Sequence, residues 1–312
     1  MRSTYIVRRL LGMIPTALGI TLVTFLLLHL VPGNPAATLL GVRATPAKIA
    51  ILDRQLGLDK PLYEQYWLFL IRILRGNFGN SLFYNAPATG IIIGDSVVTI
   101  MLVLYAAVLS VLIAVPLAVL AATHKDGVSD QAVRAIPLIG MGMPSAWLGI
   151  MLILLLGLKA HAFPVGGYGS GLVGHLYALF LPGLTLALGI APVLVRSLRS
   201  SLIDSLEADY VTTARSKGIR ERRVLARHAV RNAIISSVSI LGLQIAWLIS
   251  GTIVVETVFG LPGIGALMVN SIYRRDFPVV QGITFILAVC VILIRLATDI
   301  FRSLLDPRVR FD

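Results

Sequence analysis

Charge is scarce in this chain. Of 312 residues only 13% are Asp, Glu, Lys or Arg, against about 25% in an ordinary soluble domain, while 57% are hydrophobic. That shortage excludes a disordered chain and argues against a soluble enzyme. Acid is scarcer still, with 15 Asp and Glu against 27 Lys and Arg, a net charge of +12. In a soluble protein such an excess points to nucleic acid. In a chain this apolar it marks loops that hold helices against anionic lipid, so membrane lipid is the expected partner and nucleic acid is not. The single cysteine, Cys290, admits no internal disulfide and reads as packing within an apolar run. No Gly-x-x-x-x-Gly-Lys-Ser/Thr occurs, so the chain has no loop of that kind to cradle nucleotide phosphates and is not expected to hydrolyse ATP. His29, His124, His161, His175 and His228 show neither i,i+4 nor His-x-Glu pairing, and no metal site is expected. An intramembrane protease needs a Ser/His pair or two aspartates within its spans; His29 and Asp299 alone are of the right type, and both sit near span ends. No catalytic residue and no cofactor is therefore expected in this chain.

Long apolar runs are abundant instead. A hydrocarbon core about 30 Å thick needs roughly 20 apolar residues in a helix. Six stretches qualify, at about 10–31, 98–122, 135–157, 179–195, 233–255 and 280–300. The expectation is an all-α membrane protein, a single transmembrane domain over 1–312 with six spans. The fourth stretch is short and holds Pro182 and Pro192, which suits a kinked helix or one set against protein rather than lipid. Formal charge inside the spans is confined to Arg295 and Asp299, four residues apart on one helix face. Either they pair, or Arg295 snorkels to the headgroups. Cationic residues give the orientation. With the N-terminus inside, the inner segments 1–9, 123–134, 196–232 and 301–312 hold 17 basic residues in 70 positions, and the outer segments hold 9 in 111. Both termini are expected to be cytoplasmic. The first span is too long for a signal-peptide core and five more follow it. The outer region 32–97 mixes apolar and charged residues and is expected to form short helices on the outer membrane face. Gly166–Gly174 reads as a flexible outer loop.

The inner loop 196–232 is too basic and too organised to be a tether. Leu198, Leu202, Leu206, Tyr210 and Ala214 recur at i+4, one apolar stripe on a polar helix, and Gly218 stands where a helix end needs a residue free to take positive φ. A second helical pattern follows, with Arg220, Arg223, Arg227 and Arg231 on one face. Those arginines suit phospholipid phosphates. The helix–glycine–helix arrangement below the membrane suits docking into a groove of a protein partner.

The residues Asp209-Tyr210-Val211-Thr212-Thr213-Ala214-Arg215-Ser216-Lys217-Gly218, with Arg222-Arg223-Val224-Leu225 and His228-Ala229-Val230-Arg231-Asn232, resemble the cytoplasmic loop of ABC importer permeases, more narrowly the dipeptide/oligopeptide/nickel permease family. Four other places agree in order: Val31-Pro32-Gly33-Asn34-Pro35, Gly57-Leu58-Asp59-Lys60-Pro61, Arg275-Asp276-Phe277-Pro278-Val279-Val280-Gln281-Gly282, and Asp306-Pro307-Arg308-Val309-Arg310. The resemblance runs from end to end. It departs at Thr212 and Thr213, where the wider superfamily has Glu and Ala, and at Ser236, where many relatives have Pro.

The resemblance implies a type I ABC importer permease architecture and a coupling helix around Ser205–Arg215. Ser205, Leu206, Ala208, Asp209, Tyr210, Thr213, Ala214, Arg215, Lys217 and Gly218 are the implied contacts with a separate ATPase subunit. It further implies a homologous second permease subunit, two ATP-binding subunits carrying ATP and Mg, an extracytoplasmic substrate-binding protein, and a place in the bacterial inner membrane. The implied cargo is a dipeptide or oligopeptide, with nickel or glutathione as the alternatives. Polar residues in or beside the spans, Gln244, Ser250 and Glu256, then Thr252 and Ser145, are candidates for the cargo path, and each serves equally well as a bond between packed helices. A gradient-driven carrier needs ionisable groups near the bilayer midplane, and none of the six span centres holds Asp, Glu, Lys or Arg.

Overall fold

The computed structural model describes residues 2–30, 35–40, 44–81 and 83–305. Two of the family-like motifs, around Pro32–Asn34 and Asp306–Arg310, lie outside the described residues. Those described are almost wholly helical, as the long apolar runs require: a helix satisfies every backbone group within itself, the condition for crossing lipid. They fall into two compact units, one of Met1–Val97 with Ala266–Ile292, the other of Val98–Gly265 with Leu293–Asp312.

The first unit holds α1 (Arg2–Leu30), α2 (Pro35–Leu40), α3 (Pro46–Leu56) and α4 (Leu62–Leu74), with a minimal hairpin of β1 (Asn80–Ser81) and β2 (Ala86–Pro87). Gln65, Phe69 and Ile73, spaced at i+4, form the buried face of α4. Phe69 and Ile73 pack on Phe25 of α1, with Tyr66, Phe78 and Phe285 around them. The Gly57–Pro61 motif is a helix stop. Gly57 takes φ +71° and donates to the Arg54 carbonyl, and the Gln65 amide bonds the carbonyls of Leu58 and Lys60 at 3.1 and 2.7 Å. The Arg275–Gly282 motif is a turn into a helix: Asp276, buried, accepts a hydrogen bond from the Ser81 hydroxyl, and the guanidinium of Arg274 lies 3.5 Å over the Phe83 ring.

Continuing along the chain are α5 (Ala88–Thr123), α6 (Val128–Met141), α7 (Ser145–Leu152), α8 (Gly171–Ala178), α9 (Phe180–Leu206), α10 (Asp209–Ser216), α11 (Glu221–Val224), α12 (Arg231–Phe259), α13 (Ile264–Tyr273) and α14 (Phe277–Leu305). Wider π-helical turns extend α7 over Ile153–Lys159 and lead into α12 over Leu225–Val230. In the second unit α9 and α12 are the main packed pair, with α7 against both and α6 against α9.

Four helices of the described residues are long and apolar enough to cross a membrane: Ala88–Thr123, Phe180–Leu206, Ser237–Phe259 and Phe277–Phe301. They contain the second and sixth expected stretches and overlap the fourth and fifth. The fourth is the most buried of them, with 67% of its apolar window inside the protein. The third stretch, 135–157, is not one helix. Pro144 lacks a backbone N–H and disfavours helical geometry at Met143, so α6 ends at Met141 and α7 starts at Ser145. The glycine-rich loop makes contacts in the fold: the Gly167 N–H donates to the Phe259 carbonyl at 2.9 Å, and Tyr168 stacks on His175 with centroids 4.0 Å apart.

Candidate functional site

The basic loop 196–232 carries the candidate site. The stripe Leu198–Ala214 does not lie on one helix, as its i+4 spacing suggested. Helix α9 runs eleven residues past the expected end of the fourth span, carrying Leu198, Leu202, Ser205 and Leu206, and stops at Leu206. Ala208 is extended (φ −73°, ψ 147°), and α10 begins afresh with Asp209 in its first turn, where a carboxylate complements the positive end of the helix. The short rigid element is therefore Asp209–Ser216 rather than Ser205–Arg215.

Its closure is as the spacing predicted. Gly218 takes φ +71°, the Gly218 N–H donates to the Arg215 carbonyl at 2.9 Å, and the Ile219 N–H returns to the Ala214 carbonyl at 3.2 Å. The turn folds α10 onto α11 through a small core of Val211, Ala214 and Val224 with Ile219 beside it. Ala214 is only 6% exposed, so its small side chain permits close approach within the loop itself, not to a partner. Across the turn the Arg215 guanidinium grips Glu221 at 2.6 and 3.1 Å, which holds the Glu221 carboxyl below its ordinary range. Both groups are exposed, so the pair adds orientation more than stability. The Asn232 amide donates to the Tyr210 hydroxyl at 3.0 Å. Asp209, Tyr210, Thr212, Thr213, Arg215, Ser216, Lys217 and Gly218 remain exposed, whereas Ser205, Leu206 and Ala208 are half-buried. Arg220, Arg223, Arg227 and Arg231 are all exposed, as a basic face requires.

Two ion pairs that the sequence reading did not find brace this loop. Asp130, fully buried at the start of α6, receives Nε and Nη2 of Arg199 at 2.5 and 2.6 Å and the Asp126 N–H at 3.0 Å. The Arg199 hydrogen bonds, then the backbone donor, hold the Asp130 carboxyl at a pKa of about 2. Lys125 meets Glu207, beside the break between α9 and α10, at 2.6 Å. The available signal was only that the segment 123–134 is short and lies on the same side as the basic loop.

The expected cargo-path residues divide. Thr252 is buried and bonds the Ile249 carbonyl at 2.8 Å; Gln244 and Ser145 are half-buried; Ser250 is exposed. Glu256 is fully buried, and its carboxylate accepts the Thr99 hydroxyl at 2.6 Å and the Gly265 N–H at 2.8 Å, while Thr99 accepts the Ile264 N–H at 3.0 Å. Glu256 thus caps the start of α13. A Cβ at Gly263 would fall on its carboxylate, which is why the turn after α12 has glycine there. The run Gly260-Leu261-Pro262-Gly263-Ile264-Gly265 has turn chemistry, but nothing in it names the glutamate for which Gly263 makes room.

The family model described as "Binding-protein-dependent transport system inner membrane component" matches residues 114–311, and its N-terminal counterpart matches residues 2–111. Among known proteins, the glutathione transport system permease protein GsiC of Salmonella typhimurium (strain LT2) is 36% identical over 307 residues, covering 98% of this chain and 99% of that one. Its namesake from Escherichia coli (strain K12) is 35% identical over the same length. Among solved structures, the inward-facing MetNI methionine ABC transporter superposes with a TM-score of 0.59 at 16% identity, covering 69% of this chain and 96% of that chain. At that identity the likeness speaks for the fold alone.

Proposed function

The chain belongs to the binding-protein-dependent transport system inner membrane components, the ABC importer permeases, and from that premise we propose that it carries short peptides, the tripeptide glutathione among them, into the cell. One observation carries the cargo class: similarity across 98% of the chain, at 36% identity, to proteins named as glutathione permeases. The relatives' name favours the glutathione alternative over the dipeptide or oligopeptide cargo that the motifs imply, and glutathione shares the character of a short peptide with both. The proposed assembly pairs this six-span chain, both termini cytoplasmic, with a second homologous permease. Two ATP-binding subunits supply ATP and Mg, and an extracytoplasmic binding protein delivers cargo. The chain itself does no catalysis.

In this reading the exposed face of α10, with Tyr210, Thr213 and Lys217, seats in an ATPase subunit. When the ATPases close, the push on α10 passes along α9 through Asp130–Arg199 and Lys125–Glu207, and the spans rock between outward and inward openings. The energy enters only as differential binding of α10 in the two states. Mild-detergent recovery of this chain from native membranes, with mass spectrometry of its companions, tests the assembly. P-loop ATPases and a second permease are the expected companions; recovery of the chain alone under several detergents would overturn it. Competition of labelled dialanine and glutathione uptake in the same cells then tests the cargo.

A further inference from the structure

The exposed side chains of α12 have an unusual composition for a face turned to lipid. Leu243, Trp247, Ser250, Val254 and Thr257 are exposed and fall within about 80° of one another at 100° per residue, while Leu248, Thr252, Val255, Glu256 and Phe259 are buried on the opposite side. Trp247 is 73% exposed. It stands ten residues from Ser237 and twelve from Phe259, the ends of this candidate span, so its Cα is about 15 and 18 Å from them along the axis. That is the middle of this candidate span. Tryptophan favours the two interfaces instead, where the indole N–H finds water or headgroups.

Neither the Trp247 N–H nor the Ser250 hydroxyl has a partner among the described residues, and Gln244 is half-exposed. The Thr257 hydroxyl, by contrast, is satisfied by the Ile253 carbonyl at 2.8 Å. Unsatisfied donors in hydrocarbon cost several kcal/mol each. The exposed stripe of α5, the most apolar of the candidate spans, offers an internal comparison. Between Ile100 and Leu120 of α5, the exposed residues are Ile100, Leu104, Val108, Leu112, Pro116 and Leu120, without one side-chain donor or acceptor.

We propose that the Leu243–Thr257 face of α12 is a wall of the water-filled cargo path, and that Trp247 is its aromatic contact with cargo. The inference rests on the permease reading above and assigns it a surface. An indole face flanked by a hydroxyl and an amide, with no formal charge, suits amide groups: the ring stacks on a planar peptide bond while Ser250 and Gln244 exchange hydrogen bonds with it. Such a wall reads the backbone of a peptide and leaves its side-chain charge unread.

The test uses the assembled transporter in native membranes, with Cys290→Ser removing the chain's one thiol. Trp247→Cys, Ser250→Cys, Leu104→Cys and Val108→Cys are each exposed to a water-soluble, permanently charged methanethiosulfonate. Positions 247 and 250 should be modified at least about ten-fold faster than 104 and 108, since the reagent and the thiolate it needs are excluded from hydrocarbon. Equal slow rates at all four would place α12 against lipid. Slow rates at 247 and 250 that rise when the second permease is absent would make the face a sealed subunit contact. Either result overturns the proposal. With whichever of dialanine or glutathione the wild type takes up, Trp247→Ala should raise KM about ten-fold, and Trp247→Phe, which keeps a ring, should raise it less. Unchanged KM in Trp247→Ala would remove the cargo contact. Recovery of ATPase subunits with each variant separates these outcomes from a failure of the permease reading, in which no ATPase would accompany even the wild type.

Discussion

Single residues in this chain act through the space and conformation they allow. Gly218 is needed for its backbone: at φ +71°, with no atom within 4 Å of where a Cβ would stand, substitution meets strain and no clash. Gly218→Val should therefore cost about 1–3 kcal/mol of loop stability, and Gly218→Asn much less, because asparagine tolerates the left-handed region. Uptake and ATPase recovery should follow that order; equal loss in both variants would mean the residue does something other than turn the chain. Gly263 is needed for its missing side chain. Gly263→Ala would push a methyl into the Glu256 carboxylate, and thermal unfolding of the purified protein should show a loss of about 1–3 kcal/mol. The first glycine was legible, since it ended a helical pattern. The second was not, because the residue it makes room for has no mark in the sequence beyond being a glutamate in an apolar run.

At the scale of elements, the inner loop has an inside and an outside that spacing alone did not separate. Ala214 faces Val211 and Val224, so Ala214→Glu would bury an unpaired carboxylate and unfold α10, which limited proteolysis within 209–232 would report. Thr213→Trp on the exposed face should leave the loop protease-resistant and reduce recovery of ATPase subunits; undiminished recovery would remove this face from the contact. The Asp130–Arg199 clamp has a pH signature. An ordinary Asp titrates near 3.9, and in the fold this one is held at about 2. A depressed carboxyl favours the folded state while it is charged, so the contribution is complete above about pH 5 and drains as pH falls through 4 toward 2. Protection of the inner loop in hydrogen exchange should decline over that window, and Asp130→Asn should start lower and lack the decline. The break at Ala208 and the break at Pro144 belong to the same scale: apolar periodicity ran through both, and backbone geometry stopped the helix at each.

The whole molecule is an ABC importer permease of the binding-protein-dependent family. Four helices of the described residues meet the length and polarity of a span, and α7 with its π-helical extension supplies a shorter apolar element, Ser145–Lys159. The six-span arrangement with both termini inside predicts that a C-terminal tag is reachable from the cytoplasm alone; labelling from the outside would overturn that topology. On the two proposals above, Tyr210 and Trp247 would have distinct tasks on one chain, the first at the partner that supplies energy and the second along the route of the cargo.

Membrane class, the basic inner loop, the glycine that closes it and the family itself were determined by the sequence, because each is a local property: hydropathy over twenty residues, charge between spans, a short motif read in order. Only the tertiary structure decided that Asp130 meets Arg199 across 69 positions, that Thr99 meets Glu256 across 157, that Ala214 faces inward, and that α12 leaves a tryptophan exposed midway along its apolar length. The physical reason is that an apolar helix looks alike on every side until its neighbours arrive. Which polar group finds a partner, and which face is left open, is settled by packing between segments far apart in the chain.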